Sequence, residues 1–315
     1  MKKNIVVIGG GTGIFGVLRG LKEKDVHVAG VVSMFDSGGS SGILRDEVGV
    51  LPPGDIRRCL VALSEGSQEG VLRELFSYRF NKGSLAGYHF GNLFIAALTG
   101  VLGDDAAAIR AAGKLLNIRG QALPVSFTNA HLHAELENGV VIEGETNIDV
   151  PKHDGALRIE KVFLKPSAAL NPEAKKAILE ADAIIMGPGD LYTSIIPNVL
   201  VRGMSQALKK SKAKKIYISN LMTKFGETNG FAASDFAREL LSYAGLKKFD
   251  AIIVNTGRIP PAVRTKYARE KAYPVVVDQN LRRYAKKIVR ATLFRKGSYV
   301  RHDSAILADM IMKLV

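Results

Sequence analysis

The chain has 315 residues, of which 47% are hydrophobic and 23% charged, and this balance excludes disordered and fibrous proteins. Its single cysteine, Cys59, excludes an internal disulfide and a cysteine-based zinc or iron–sulfur site. The 44 basic side chains outnumber the 30 acidic ones, giving a formal net charge of +14, which suits either nucleic acid or small phosphorylated anions.

The basic runs and the hydropathy bear on partners and location. The runs 209–215 and 282–287 contain one aromatic residue, Tyr284, whereas nucleic-acid modules interleave aromatics with basic groups. We therefore predict solvated helix ends or turns there, and nucleic acid is disfavoured as a partner. No stretch approaches the roughly 18–20 apolar residues of a membrane helix. The start runs into glycines after eight residues, so we expect a cytoplasmic protein with no membrane insertion.

Short apolar, β-branched runs alternate with helical patterns. The predicted strands cover 5–8, 26–32, 183–186, 215–218, 251–254 and 275–277. The predicted helices cover 14–22, 56–64, 69–78, 91–101, 104–116, 172–181, 197–210, 232–244 and 304–314. Continuous apolar runs suit strands covered on both faces, and the alternation favours right-handed crossovers. The predicted fold is α/β, with a Rossmann-like, doubly wound, mostly parallel sheet.

The segment 121–164 departs from this alternation. Short strands with antiparallel character are predicted at 124–127, 131–136, 140–143 and 157–164. Asn138-Gly139 between two of them is a hairpin signal. We predict one α/β nucleotide-binding domain over 1–315, with a small antiparallel β-rich insertion at about 121–164.

A glycine-rich loop follows the first strand. Gly10, Gly11, Thr12 and Gly13 precede a helix, where backbone N–H groups favour an anion. From Gly11 the sequence matches G-x-G-x-x-G, which makes NAD one candidate ligand. The alternative is a turn that packs the helix on the strand. If the loop binds phosphate, Gly13→Val should abolish nucleotide binding and leave the fold largely intact.

The second strand ends in another loop of glycines and hydroxyls. Its predicted phosphate-binding residues are Asp36, Ser37, Gly38, Gly39, Ser40 and Ser41, because such residues can build a nest of N–H donors. Asp55 precedes a predicted helix and is either its N-cap or, with Asp36, a ligand of Mg²⁺ carried by a phosphorylated compound.

Later strand ends carry similar loops. Asn92, at a helix start, either caps the helix or reaches the ligand. The remaining predicted binding residues are Gly187, Gly189, Asp190, Tyr192, Thr193, Ser194, Asn220 and Thr223. At least five predicted strands end in such polar loops, and the carboxyl ends of parallel strands share one sheet edge. The sequence therefore predicts a ligand pocket at that edge.

Seven motifs in order carry a family resemblance: GGGTG, DSGGSSG, LPPGDIRRCL, HFGNLFIAALT, GPGDLYTSIIPN, NLMTKFGET and NTG. Together they resemble the gluconeogenesis factors of bacteria, a family similar to the 2-phospho-L-lactate transferases of coenzyme F420 synthesis. The resemblance covers nearly the whole chain and implies a Rossmann-like body, a cytoplasmic location and a homodimer.

The two branches of the resemblance imply different functions. The gluconeogenesis-factor branch implies a UDP-sugar-binding regulator of cell shape and wall synthesis during gluconeogenic growth. The transferase branch implies Mg²⁺-dependent transfer of phospholactate from a guanosine diphosphate conjugate to a deazaflavin, with Asp36 and Asp55 as catalytic residues. The bound nucleotide would be a UDP-sugar, GDP or NAD. The resemblance predicts Asp-Asp before Gly38, but this chain has Asp36-Ser37, which favours binding and regulation.

Overall fold

The structure, a computed structural model, describes residues 1–65, 70–295 and 299–315. Its strands in chain order are β1 (Lys3–Gly9), β2 (Val26–Val32), β3 (Gln121–Pro124), β4 (His131–Leu136), β5 (Val141–Glu143), β6 (Ile159–Lys165), β7 (Ala183–Met186), β8 (Lys214–Ile218), β9 (Phe249–Asn255) and β10 (Ala285–Ala291). Seven of them form one sheet in the order β3-β2-β1-β7-β8-β9-β10, and every neighbouring pair is parallel.

Helices cover both faces of this sheet. In chain order they are α1 (Gly11–Leu21), α2 (Gly39–Val48), α3 (Gly54–Leu63), α4 (Gly70–Ser77), α5 (Phe90–Leu102), α6 (Asp105–Leu115), α7 (Glu145–Asp149), α8 (Pro172–Glu180), α9 (Ile196–Val199), α10 (Met204–Lys210), α11 (Ala233–Ala244), α12 (Pro261–Arg269) and α13 (Ser304–Met312). A π-helical turn spans Leu191–Ile195 and a 3-10 helix spans Gln279–Arg283.

The central strand β1 shows why the sequence is apolar without alternation. Ile5 and Val7 belong to the core formed with α1, α3, α5, α6 and α13. Val6 and Ile8 belong to the core formed with α8 to α11 and the small sheet. Both faces of the strand are buried, as parallel sheets require. The predicted doubly wound fold is confirmed.

The chain changes direction at β1. β2 and β3 extend the sheet on one side, and β7 to β10 extend it on the other. Loops leaving β1 and β7 must therefore diverge, which opens a crevice at the carboxyl ends of these two neighbouring strands.

The small sheet is three-stranded, with β4 antiparallel to β5 and β6. The hairpin predicted at Asn138-Gly139 joins β4 and β5. The antiparallel strand predicted at 124–127 is wrong, because the strand of this segment ends at Pro124. The segment Gln121–Pro124 pairs in parallel with β2 and forms the edge of the large sheet, because three of its four residues bury against that core.

A second wrong strand prediction concerns 275–277. This run forms no strand, and the seventh strand of the large sheet is Ala285–Ala291. Val275 makes one backbone hydrogen bond to Leu221, and Val276 is 65% exposed. The true strand was missed because it reads AKKIVRA, and charged residues are common on edge strands, where they prevent pairing with other chains.

One loop prediction and one helix prediction also need correction. The 36–42 loop is shorter than predicted, because α2 begins at Gly39 and takes Ser40 and Ser41 into its first turn. The single helix predicted over 197–210 is divided into α9 and α10, with Gly203 at a φ of +99° between them. The predicted helix 69–78 begins on a residue outside the described ranges. Within those ranges, no helix has the length and apolar character needed to cross a membrane.

Candidate ligand cleft at the sheet switch point

Loops after β1, β7 and β8 border a cleft of about 1020 Å³ together with α12 and the β10–α13 connection. The predicted site residues that line it are Gly10, Gly11, Thr12, Gly13, Gly189, Asp190, Ser194 and Asn220. They come from three of the predicted strand ends, whereas the predicted residues of the loop after β2, 36–41, are not in its lining.

The glycine loop requires its glycines for geometry. Gly11 begins α1 with a φ of +61°, in the left-handed region. A Cβ on Gly13 would stand 2.0 Å from the carbonyl oxygen of Pro188. The expectation that Gly13→Val leaves the fold intact is therefore wrong, because the side chain would push the β7 loop away. The N-cap, Gly10, offers no side chain to the first N–H groups of the helix, which leaves that end of α1 open to an acceptor.

Asp55 holds the glycine loop through a hydrogen bond to its backbone. Its Oδ1 accepts the Gly11 N–H at 2.9 Å and lies 3.3 Å from the Arg58 Nη1. Burial raises the pKa of Asp55 to about 6, and nearby Asp36 adds to the rise while Arg58 opposes it. Asp55 does not cap α3, because Pro53 is the N-cap residue and no side chain caps that end.

Asp36 lies in the loop after β2, which ends at Val32, and its side chain holds this loop. Its Oδ1 accepts the Gly38 N–H at 2.8 Å. Ser37 turns away toward α7, where its Oγ accepts the Thr146 N–H at 3.0 Å. Among the described residues, neither Asp36 Oδ2 nor Asp55 Oδ2 accepts a hydrogen bond. These two carboxylate oxygens fit the oxygen-rich donor set that Mg²⁺ prefers.

Ser40, Ser41 and Asn92 meet in a buried network. The Asn92 Nδ2 donates to the Ser40 and Ser41 Oγ atoms at 3.1 and 3.3 Å. The Asn92 Oδ1 accepts from the Arg57 Nε at 2.9 Å, and Arg57 also donates to the Phe76 carbonyl. The network joins α2, α3 and α5. None of these three predicted residues lines the cleft, and their contact with a ligand stays a prediction.

The β7 loop divides its predicted residues between the cleft and the interior. Ser194 lines the cleft beside Gly11. The Tyr192 N–H donates to Glu227 Oε2 at 3.1 Å, and the Thr193 hydroxyl donates to Glu227 Oε1 at 3.0 Å. Gly187 takes a φ of +77° just after the strand. Tyr192 and Thr193 thus face a buried carboxylate.

The β8 loop clamps the β7 loop. The Asn220 Nδ2 donates to the Gly189 carbonyl at 2.7 Å. Thr223 is tied to Tyr273 in both directions, with its N–H donating at 2.7 Å and its Oγ1 accepting at 2.9 Å. Asn220 therefore positions the cleft wall, while Thr223 fixes the base of its own loop.

Sequence reasoning missed two acidic side chains, Glu145 and Glu227, that lie beside the predicted residues. Burial raises the pKa of Glu145 to about 9, with Asp36 and Asp149 adding to the rise. Burial also raises the pKa of Glu227 to about 7 against the attraction of Lys224. Burial lowers the pKa of Lys224, but the neighbouring carboxylates outweigh it and raise the pKa above its usual value. Lys224 and Glu227 belong to the motif NLMTKFGET, which could have marked them as site residues from the sequence. Glu145 lies in none of the motifs, so no sequence signal pointed to it.

The cleft itself is basic. Its lining among the described residues includes one carboxylate, Asp190, and five arginines: Arg19, Arg57, Arg58, Arg295 and Arg301. Tyr267, Tyr299 and His302 line the far wall. Burial lowers the pKa of His302 to about 4, so its imidazole is neutral at pH 7. Arg58 and Arg295 pair with Asp55 and Asp303, but the cleft still has an excess of positive charge. This excess and the open helix start favour an anionic ligand.

The fold and the cleft define a class, namely Rossmann-like α/β proteins with a basic cleft at the switch point. The family described as 2-phospho-L-lactate transferase CofD matches residues 5–294, and the chain belongs to this family.

Its similarity to other proteins extends over nearly the full length. It is 46% identical over 282 residues to a gluconeogenesis factor of Halalkalibacterium halodurans, covering 89% of this chain and 85% of that one. It is 42% identical to the gluconeogenesis factor of Bacillus subtilis, covering 100% of this chain and 98% of that one. A crystal structure from Bacillus halodurans superposes with a TM-score of 0.94 at 41% identity and covers 99% of this chain and 100% of that one. The predicted family resemblance is confirmed.

Proposed function

We propose that this protein binds a UDP-sugar in the cytoplasm and acts as a regulator of cell shape and wall synthesis during growth on gluconeogenic carbon. The observation that carries the binding part is the cleft lining of five arginines against one carboxylate, placed at the start of α1. The regulatory part rests on similarity to proteins named gluconeogenesis factor.

The diphosphate would lie against the backbone N–H groups of Thr12 and Gly13. These are early N–H groups of α1, which have no partner inside the helix. Arg58 lies beside this loop through its contact with Asp55 and adds positive charge. The rest of the ligand would extend toward the aromatic wall of Tyr267 and Tyr299.

Ser37 favours regulation over transfer. The resemblance predicts a second carboxylate at this position, but the Ser37 hydroxyl accepts the Thr146 N–H and holds α7. If Mg²⁺ binds, Asp36 and Asp55 would hold it, and it would supply charge neutralisation to a diphosphate. The regulator needs only recognition. Asp36 is outside the cleft lining, so its carboxylate would accept hydrogen bonds from ligand hydroxyls that extend beyond the cleft to the loop after β2.

A second candidate is a phospholactate transferase. It is favoured by Asp55, whose pKa near 6 lies close to the working pH of a general base. In that function, Asp55 accepts the proton of the acceptor hydroxyl while the cleft arginines hold the leaving nucleotide. The family description supports this candidate.

Titration calorimetry with UDP-N-acetylglucosamine, with and without EDTA, tests the proposed function. We expect binding that survives EDTA. Asp36→Asn should weaken it by about 1–3 kcal/mol, because a charge-assisted hydrogen bond is lost. Asp25→Asn removes a carboxylate that is 81% exposed and pairs only with the exposed Lys2 among the described residues, and it is the matched control.

Parallel measurements with GDP and NAD, and a turnover assay with deazaflavin and the guanosine diphosphate conjugate, test the alternatives. We expect weaker binding of both nucleotides and no product. Mg²⁺-dependent product that disappears in Asp55→Asn would replace regulation by transfer. Tight NAD binding without UDP-sugar binding would make the glycine loop a dinucleotide site.

We also propose a homodimer, because the family resemblance implies one. Sedimentation equilibrium on the purified chain distinguishes a dimer from a monomer by mass.

A further inference from the structure

Lys224 places one ammonium among three carboxylates that belong to different segments. Its Nζ lies 2.9 Å from Asp190 Oδ2 in the β7 loop and 3.3 Å from Glu227 Oε1 in its own loop. It also pairs with Asp149 Oδ1 at the end of α7. The Lys224 side chain is 28% exposed, and that of Glu227 is 0% exposed.

The spacing of the three carboxylates suits a divalent cation. One oxygen from each lies within 4.8 Å of the others, a cluster typical of sites for hard cations with oxygen ligands. In this chain the ammonium of Lys224 contacts all three carboxylates and takes that central place. A single fixed positive charge therefore lies among three acidic side chains in a partly buried site, where an unbalanced charge is costly.

Two of the three carboxylates connect this cation to the ligand cleft. Glu227 accepts hydrogen bonds from the Tyr192 N–H and the Thr193 hydroxyl, which fixes the π-helical turn that contains Ser194 of the cleft lining. Asp190 is itself in the lining. The third, Asp149, belongs to α7, whose other end is bound to Ser37 after β2. Lys224 thus joins loops from both halves of the sheet.

We infer that Lys224 is a positioning residue that supplies internally the positive charge a divalent cation would otherwise provide, and that it holds the β7 loop in its ligand-binding form. The charge-balancing part stands on the geometry alone, and the ligand-binding part rests on the proposed function. It follows that the loop keeps its form without metal.

Lys224→Met tests the inference, because methionine keeps an unbranched chain and removes the charge. Without the ammonium, the acidic side chains either repel one another or take up a proton, and a bound cation can replace the lost charge. Lys286→Met is the matched control, since Lys286 is 72% exposed and pairs with Asp250 at the surface. Thermal unfolding is measured for wild type and both variants in EDTA and in millimolar CaCl₂.

We expect the Tm of Lys224→Met to fall by at least about 4 °C in EDTA and to rise again in CaCl₂. The Tm of wild type and of Lys286→Met should respond little to CaCl₂. An unchanged Tm in Lys224→Met, or a reduced one that CaCl₂ leaves unrestored, would overturn the inference. If Lys224→Met does not fold, the double variant Lys224→Met/Glu227→Gln should fold, because it carries one acidic group fewer. If neither variant folds, the inference is overturned.

Affinity for UDP-N-acetylglucosamine tests the positioning of the loop. Lys224→Met in EDTA should bind at least about tenfold more weakly than wild type, and CaCl₂ should restore the affinity, while Lys286→Met binds as wild type does. Unaltered affinity in Lys224→Met overturns the positioning role. If wild type itself binds no UDP-sugar, the proposed function fails, and the Tm measurements still decide the charge-balancing role.

Discussion

At the scale of single residues, hydrogen-bond partners decide the role of the acidic side chains. Asp36 and Asp55 were both predicted as ligands of a metal or acceptor, yet each first serves the protein backbone. Asp36 binds the Gly38 N–H, and Asp55 binds the Gly11 N–H. Neither Asp36 nor Asp55 is in the lining of the cleft, and the Asp55 side chain is 11% exposed, so their contact with a ligand stays a prediction.

The pKa of Asp55 predicts a pH dependence of stability. Its folded-state pKa of about 6 lies above the usual 3.8, so the folded state binds the proton more tightly than the unfolded state. The resulting stability is fully present below about pH 4 and is lost as the pH rises through about 6. A pKa difference of this size corresponds to about 3 kcal/mol in the free energy of unfolding. Asp55→Asn should therefore gain stability relative to wild type across this window.

Urea unfolding of wild type and Asp55→Asn from acid to neutral pH measures this difference. Because other acidic groups titrate in both proteins, the difference between the two curves isolates Asp55. Asp25→Asn, at a carboxylate that is 81% exposed, controls for the loss of one negative charge. Parallel curves for wild type and Asp55→Asn would show that the carboxyl of Asp55 titrates alike in the folded and unfolded states.

At the scale of elements, the glycines of α1 show how closely two segments approach. Gly13 and Gly16 both line the cleft, but they differ in their surroundings. A Cβ on Gly13 would stand 2.0 Å from the Pro188 oxygen, whereas a Cβ on Gly16 would stand 3.6 Å from the Ser304 Oγ. The first position is fixed by packing of α1 on the β7 loop, and the second has ordinary contact space.

Gly13→Ala and Gly16→Ala should therefore change stability in opposite directions. Gly13→Ala should lower the free energy of unfolding by about 1–3 kcal/mol through overpacking and should weaken ligand binding as the loops separate. Gly16→Ala should raise it by roughly 0.5–1 kcal/mol, because alanine loses less backbone entropy in a helix. Urea unfolding measures both, and destabilisation of equal size in the two variants would refute the role of packing at Gly13.

The buried network around Asn92 acts at the same scale. It satisfies the polar groups of Ser40, Ser41 and Arg57 where three helices meet. Burying these groups without partners would cost free energy, so the network fixes how α2, α3 and α5 pack. Arg57 also lines the cleft, which makes the network part of the cleft wall.

At the scale of the whole molecule, the excess of basic residues gives a net charge of +14, and five of the arginines line the cleft. A cleft focuses such charge on a small anion more effectively than a convex surface does. Duplex DNA should therefore bind weakly, without sequence preference, and progressively less as salt rises. Fluorescence anisotropy with two unrelated duplexes measures this, and sub-micromolar, sequence-selective binding at physiological salt would contradict it.

The sequence by itself determined the doubly wound fold, the glycine loop, the polar strand ends and the family. These features depend on local patterns: apolar runs fix buried strands, and glycines mark turns at strand ends. Most helix bounds agree with the structure within a few residues. The prediction failed where tertiary context decided the outcome, as at 275–277 and in the charged edge strand Ala285–Ala291.

Only the tertiary structure decided which polar residues face a ligand and which face the protein. Thr193 and Ser194 are neighbours in sequence, yet one binds a buried carboxylate and the other lines the cleft. The ion pairs of Lys224 bring together residues 149, 190, 224 and 227. Their contacts depend on where the sheet changes direction, and no local pattern encodes the distance between side chains that meet only after the chain has folded.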